Sequence, residues 1–243
     1  MAITLRNPHS IRAVLRTRPQ DVYEIRPPTS ANDAWTQVLD EARDVGIRLK
    51  QAGESDRRRQ NDRERNAGGR SGGGEANVRE KEAVDLEDIF AEEGGLRIAV
   101  EHVQDPRNLG SIFRTAAFFG VKGMVITRDR SAQLSDTVYD TASGGLEYVP
   151  FTIQTNLRRA LEEAKKSGFW ILGTSEHAQT DLTSISGDRR WLAVIGNEES
   201  GLRRLTLETC DEVCRVSPAS DEIQSLNVAV ASAIVIQKLS QPA

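Results

Sequence analysis

Residues 96–127 read LRIAVEHVQDPRNLGSIFRTAAFFGVKGMVIT. The apolar run LRIAVEHV reads as a strand, NLGSIFRTAAFFG as a helix stopped by Gly120, and GMVIT as a second strand. The alternation continues downstream. SDTVYDTA reads as a helix, YVPFTI as a strand, and LRRALEEAKKSG as a helix with a glycine stop. FWILGTS, WLAVIG and EVCRVS read as strands, and SLNVAVASAIVIQKL as a long, mostly apolar helix. Continuous apolar strands alternating with helices predict an α/β fold whose parallel sheet is covered on both faces.

Upstream the pattern changes. HSIRAVLRT reads as a helix because Ile11, Val14 and Leu15 recur at helical spacing. DVYEI reads as a strand, and Pro27 and Pro28 then break the chain. Asn32 or Asp33 caps a second helix carrying Trp35, Val38 and Leu39, and GIRL is expected to be another strand. The next stretch, QAGESDRRRQNDRERNAGGRSGGGEANVREKE, holds almost no apolar residues. Such a segment buries too little surface to offset its ordering entropy, so about 51–82 is expected to be a disordered or mobile linker. A short helix is expected in VDLEDIFAEE behind it. The expected organisation is a small domain at 1–50, a charged Gly/Arg-rich linker at 51–95 and an α/β domain at 96–243.

Composition narrows the function classes. The 243 residues allow one large domain or two small ones. No apolar run approaches the roughly 20 residues of a membrane span, and MAITLRNPHSIR lacks the apolar stretch of a secretory signal. Cys210 and Cys214 are too few for a disulfide framework and lack CxxC spacing, which fits a reducing cytoplasm. With three histidines, no His-rich metal site is expected. The net charge of −4 conceals an asymmetry: residues 1–81 hold 16 basic and 12 acidic groups, and residues 82–243 hold 16 and 24. The basic half suits a polyanion, although a solvated linker accounts for the charge as simply.

QDPRNLGS, after the first strand of the α/β region, is neither GxGxxG nor GxxxxGK[ST], and GxSxG and HExxH are absent. Three other segments stand out at the C-terminal ends of strands, where open α/β sheets bind ligands. The first is DPRNLGSIFRTAAFFGV, residues 105–121, with Asn108 at a helix start and Arg114 nearly two turns later. That spacing is read as bringing the two side chains within about 40° around the axis. The second is VIGNEESGL, residues 194–202, with Gly196, Glu198 and Gly201. The third is SPASDEIQSLNVAVA, residues 217–231, with Ser225 and Asn227. Each has a plainer reading: Asn108 and Ser225 as helix caps, Arg114 as a surface arginine, the glycines as turn residues.

Together, in this order, the segments resemble the three motifs of the SpoU/TrmH family, the RNA 2′-O-ribose methyltransferases of the SPOUT superfamily. Asp105 through Gly120 is similar to DPxNxGxxxRTAxxFG. Gly196, Glu198, Gly201 and Leu202 match GxExxGL, and Pro218 with SLNVAVA matches the third motif. TASGGLEYVPF is similar to the family's Ser-x-Gly-Ala segment, and the resemblance covers about residues 96–240. It implies a SPOUT-type parallel sheet with a deep C-terminal trefoil knot, a feature too rare to expect from patterns. It also implies S-adenosylmethionine as cofactor, a homodimer with the site near the subunit interface, and no metal. The last helix, with Val228, Val230, Ile234 and Val235, is then core or dimer face, core being the less demanding reading. NPHSIRAVLRTRPQDVYEI resembles the opening of the family's substrate-recognition domain. The later HQG-like part is missing from its usual place, so that domain is read as partial, truncated or degenerate.

The implied activity is methyl transfer from S-adenosylmethionine to a ribose 2′-OH, most of all in ribosomal RNA, with transfer RNA next. By resemblance Arg114 is the key catalytic residue. It either activates the 2′-OH with help from an RNA phosphate, or anchors that phosphate and stabilises the developing alkoxide. Asn108 and Glu198 would orient Arg114 and the ribose, and Ser225 and Asn227 would complete the pocket. Backbone groups near Thr174, Gly196, Ser217 and Leu226 match cofactor-contacting positions. Asp221 departs from the family's usual glycine, which points to altered cofactor binding. The Arg-rich 57–70 stretch suits RNA phosphates, and Trp35 or Tyr23 suits base stacking, with a core role the simpler one for Trp35. The alternative function is a non-catalytic RNA-binding dimer that keeps the fold.

Overall fold

The structure is a computed structural model that describes residues 1–50, 73–220, 222 and 225–240. The Arg-rich 57–70 stretch and Asp221 lie outside the described residues. The chain divides into two units, one of residues 1–82 with 134–148, the other of residues 83–133 with 149–243.

The first unit is built on β1 (Ala2–Leu5), β2 (Val22–Arg26) and β3 (Glu75–Arg79), an antiparallel sheet in the order β1-β3-β2. Asn7 caps the helix Pro8–Thr17, its side chain accepting from His9 N at 2.9 Å, and Pro8 begins the helix where no amide donor is needed. Asn32 caps the helix Asp33–Asp44 by accepting from Trp35 N at 3.0 Å. Leu5, Ile11, Val14, Ile25, Trp35, Val38, Ala76 and Val78 form a core with no solvent exposure. Trp35 is therefore a core residue and unavailable for base stacking, whereas Tyr23 is exposed.

Three expectations need correction. The central strand β3 lies inside the stretch expected to be linker through residue 82. Its sequence, EANVR, has only Ala76 and Val78 to bury, so a composition average hides it; alternation delivers both to one face. The small sheet is thus completed well beyond residue 50. GIRL forms no strand: a single bridge joins Leu49 to Ile25. The buried face of the second helix is Trp35, Val38 and Ala42, with Leu39 only half-buried.

Residues 134–148 also belong to the first unit. Asp140 accepts from the backbone amides of Arg6 and Asn7 at 3.0 and 2.9 Å, and Ser10 Oγ donates to Tyr139 O at 2.7 Å. Arg18 donates from Nε and Nη2 to the two oxygens of Glu147, both at 2.8 Å, in a buried bidentate pair.

The second unit is a seven-stranded sheet, all parallel, in the order β6-β5-β4-β9-β7-β10-β8. In chain order the strands are β4 (Arg97–Val100), β5 (Gly123–Thr127), β6 (Phe151–Gln154), β7 (Trp170–Thr174), β8 (Thr180–Asp181), β9 (Trp191–Ile195) and β10 (Glu212–Arg215). Every residue of β4, β5 and β9 is buried, as a parallel sheet covered on both faces requires. The helices Pro106–Phe118, Leu157–Lys166 and Val228–Ser240 supply cover, the first packing against the last. The sequence reading missed β8 and the short helix Arg204–Thr209.

Candidate functional site

Asp105 ends the loop after β4 and caps the helix Pro106–Phe118, accepting from Arg107 N at 2.8 Å. Asn108 is thus not the cap. It sits inside the first turn, with its side-chain amide available for tertiary contacts. Asn108 Nδ2 donates to Glu198 Oε1 at 2.8 Å, and Asn108 Oδ1 accepts from Asn227 Nδ2 at 3.0 Å. Asn227, rather than Ser225, caps the last helix: its Oδ1 accepts from Ala229 N at 2.9 Å and Val230 N at 3.4 Å. One amide chain therefore joins the loops that follow β4, β9 and β10.

Glu198 is held from its other side as well. Asn197 Nδ2 donates to Glu198 Oε2 at 3.2 Å and to His102 O at 2.8 Å. Asn197 Oδ1 accepts from the amides of Glu199 and Ser200 at 3.0 and 3.1 Å, which closes the loop on itself. Asn197 escaped the sequence reading because it occupies a variable position of the second motif. His102, whose carbonyl takes the Asn197 amide, adopts a φ of 58°. That left-handed backbone is uncommon outside glycine and stores strain just past the end of β4.

Gly196 starts this loop in a place where no larger residue fits. A Cβ there would lie 2.4 Å from Gly201 C and 2.6 Å from Leu202 N. The two strands of the turn approach so closely because Asn197 and Gly201 exchange backbone hydrogen bonds at 3.1 and 3.0 Å. Below the loop, the buried Glu101 carboxylate accepts from Arg203 N at 2.9 Å and from Thr206 Oγ1 at 2.7 Å. This fixes where the chain leaves the loop.

Arg114 stands apart from the amide chain. Six helical residues advance by about 600°, so Arg114 lies about 120° from Asn108 around the axis, not within the 40° read from the sequence. It is exposed and makes no hydrogen bond or ion pair with another described residue. Ser225 and Leu226 are exposed beside Asn227. Thr174 is half-buried, and its hydroxyl donates to Val194 O at 3.0 Å. Ser217 binds the carboxylate of Asp181 through its hydroxyl. Together with Thr183, this bond holds that carboxyl well below the usual range. Among the described residues, no three His, Cys, Asp or Glu side chains converge as metal ligands.

A profile described as the SpoU rRNA Methylase family matches residues 95–237, which contain every residue of this site. The chain belongs to the SpoU family. Among its relatives is the 23S rRNA (guanosine-2′-O-)-methyltransferase RlmB of Nitrosomonas europaea, 42% identical over 153 residues. That alignment covers 62% of this chain but only 58% of the relative. The RlmB of Pseudomonas aeruginosa is 34% identical over 233 residues, covering 94% of this chain and 92% of the relative. The crystal structure of the SpoU methyltransferase AviRb from Streptomyces viridochromogenes, in complex with the cofactor AdoMet, superposes with a TM-score of 0.79. It covers 98% of this chain and 89% of its own at 20% identity, a likeness of fold. No described helix of this SpoU chain is long and apolar enough to cross a membrane.

Proposed function

We propose that this SpoU-family chain methylates a ribose 2′-oxygen of ribosomal RNA using S-adenosylmethionine. The observation that carries the reading is the hydrogen-bonded chain Asn227–Asn108–Glu198, which unites three motifs at the C-terminal edge of the sheet. Relatives named as 23S rRNA guanosine-2′-O-methyltransferases support ribosomal RNA as the substrate class.

The residues present fit S-adenosylmethionine. The backbone groups of Gly196 and Leu226 have no partner among the described residues, and the Leu226 side chain is exposed. Unpaired amides and carbonyls next to an apolar surface suit a nucleoside edge and ring. Gly196, Leu226, Ser217 and Thr174 would hold it, and when bound it supplies an electrophilic methyl group.

A ribose hydroxyl is a weak nucleophile near neutral pH, so alignment and charge stabilisation are the tasks of the chain. Arg114 is a guanidinium that stays protonated, and it acts as a cation rather than a base. It holds an RNA phosphate next to the target ribose and stabilises the oxygen as the hydroxyl proton passes to that phosphate or to solvent water. Glu198, gripped by Asn108 and Asn197, offers a fixed negative charge toward that guanidinium and the ribose. Ser225 lies open beside Asn227 as a ribose contact.

The reading extends to assembly. A deep trefoil knot in the C-terminal part is supported by the strand order, in which β9 enters between β4 and β7 and β10 between β7 and β8. A homodimer is supported by exposed apolar residues, Leu226 just before the last helix and Val230 and Ile234 four positions apart along it. The first unit serves RNA recognition, and the enzyme works in the cytoplasm.

Two measurements test the assignment. Calorimetric titration with S-adenosylhomocysteine is expected to show saturable binding near one site per chain. Arg114→Ala is expected to abolish transfer to ribosomal RNA while that binding persists. Full activity in Arg114→Ala would remove the role given to this residue.

A further inference from the structure

The arginines of the second unit differ in how far the fold engages them. At the N-terminal edge of the sheet they are engaged in the fold. Arg97 donates to Ile89 O at 2.7 Å and Gly94 O at 2.8 Å, and Arg190 donates to Ser167 O at 2.9 Å. Arg189 pairs with Glu212 and stacks 3.9 Å from the centre of the Trp170 ring. At the C-terminal edge Arg158 and Arg204 pair with Glu162 and Glu208 on their own helices, but five other arginines do not pair. Arg107, Arg128, Arg130, Arg159 and Arg203 are exposed, and no guanidinium among them has a hydrogen bond or ion pair to a described residue.

Their order follows the sheet. Arg159 comes just after β6, Arg128 and Arg130 just after β5, Arg107 after β4 and Arg203 after β9. Those four strands are consecutive neighbours. At about 4.8 Å per strand the row spans roughly 14 Å. That is about four nucleotides of a stacked strand at 3.4 Å each. Asp129 and Glu199 lie on the same edge, as does Glu198, whose two oxygens are already held by Asn108 and Asn197. Positive charge remains in excess.

The turn carrying Arg128 and Arg130 is fixed. Arg128 N donates to Gln154 O at 2.9 Å, Ala132 N to Val103 O at 2.8 Å, and the hydroxyls of Thr127 and Ser131 meet at 2.7 Å. Arg130 takes a φ of 53° within it. Backbone anchored on both flanks presents its two guanidinium groups at low entropic cost on binding.

We infer that this row of unpaired arginines is a phosphate track on the catalytic unit, which binds the RNA backbone beside the target ribose through Arg128 and Arg130. The inference rests on the proposed RNA methyltransferase function and adds a binding surface to it. Phosphate contacts fix register without reading sequence, which is the task left once Arg114 holds one phosphate at the site.

The test is the salt dependence of RNA binding by the full chain, followed by anisotropy of a short fluorescein-labelled single-stranded RNA. Each phosphate contact contributes about 0.7 to the slope of log K against log salt on a single strand. Arg128→Gln/Arg130→Gln is expected to flatten the slope by about 1.4 and weaken binding at least tenfold at low salt, with S-adenosylhomocysteine affinity intact. Lys166→Gln, at the opposite edge, is the charge control and is expected to keep the wild-type slope. If the double variant keeps it too, while the wild type binds RNA and S-adenosylhomocysteine, the track is overturned and the function stands. A folded wild type that binds neither overturns the function and the track with it.

Discussion

Asn108 stands between Glu198 and Asn227, donating to the first at 2.8 Å and accepting from the second at 3.0 Å. An ionised carboxylate cannot do both, because it only accepts. In Asn108→Asp a carboxylate would face the Glu198 carboxylate with no proton to share. A lost hydrogen bond to a charged group costs about 1.5–3 kcal/mol, equivalent to roughly 10- to 150-fold in rate. Steady-state methyl transfer by this variant is expected to fall in kcat/KM by that factor. Retention of wild-type kcat/KM would show that the amide chain is not needed for the reaction.

Gly196 has no room for a methyl group, since a Cβ there would lie 2.4 Å from Gly201 C. The obstacle is backbone, so the turn itself must shift in Gly196→Ala. Overpacking of this kind costs about 1–3 kcal/mol. Urea unfolding is expected to report that loss, and S-adenosylhomocysteine binding is expected to weaken more than tenfold. Gly120→Ala is the comparison: the site has open space but a φ of 71°, so it strains the backbone without touching the loop. It is expected to leave ligand affinity unchanged.

Two arginine–glutamate pairs differ in burial and in geometry, the first bidentate and the second a single contact. Arg18 and Glu147 are buried, whereas Arg158 and Glu162 are exposed at 57% and 50% with a 2.9 Å contact. Glu147→Ala leaves the buried Arg18 guanidinium with Asp21, at 3.3 Å, as its remaining carboxylate partner, and is expected to destabilise by about 3 kcal/mol. Glu162→Ala is expected to cost no more than about 0.5 kcal/mol. Paired denaturation curves would measure both, and equal losses would contradict the burial argument.

Burial pushes the thiols of Cys210 and Cys214 up to about 12. The folded state therefore keeps two protons that the unfolded chain releases near its ordinary thiol range. Below about pH 8 this makes no difference; as pH rises from about 9 toward 12 the unfolded chain releases protons that the folded chain keeps, so unfolding is increasingly favoured and stability falls through that window. In plain terms, stability is expected to decline above about pH 9, and Cys210→Ser/Cys214→Ala is expected to decline less steeply. Alkylation by iodoacetamide at pH 8 is expected to be slow in the folded protein and fast in urea. Rapid alkylation of the folded chain would contradict the burial of the thiols.

Much of the second unit was legible because its strands are uninterrupted apolar runs. WLAVI and GMVIT are buried on both faces, and a run of that kind cannot hide in an average. β3 did hide, since EANVR has two small apolar residues among charges and polar groups and its partners in the sheet are 49 or more residues away. The attachment of residues 134–148 to the first unit was equally invisible, resting on pairs such as Asn7 with Asp140 that share no local pattern. At the site, the residues of the three motifs were legible, but their roles in the network were not. The capping roles went to Asp105 and Asn227, and Asn197 entered as the residue gripping Glu198. Helical phase also set Arg114 apart from Asn108, a separation that spacing alone should have given.

The most direct test of the account is to incubate the chain with methyl-labelled S-adenosylmethionine and ribosomal RNA, then hydrolyse the RNA in alkali. Alkaline cleavage requires a free 2′-OH, so a 2′-O-methylated nucleotide survives as part of a dinucleotide. The account expects the label in an alkali-resistant dinucleotide, and its disappearance in Arg114→Ala. Label recovered in mononucleotides would mean a methylated base, and would contradict a ribose 2′-oxygen as the acceptor.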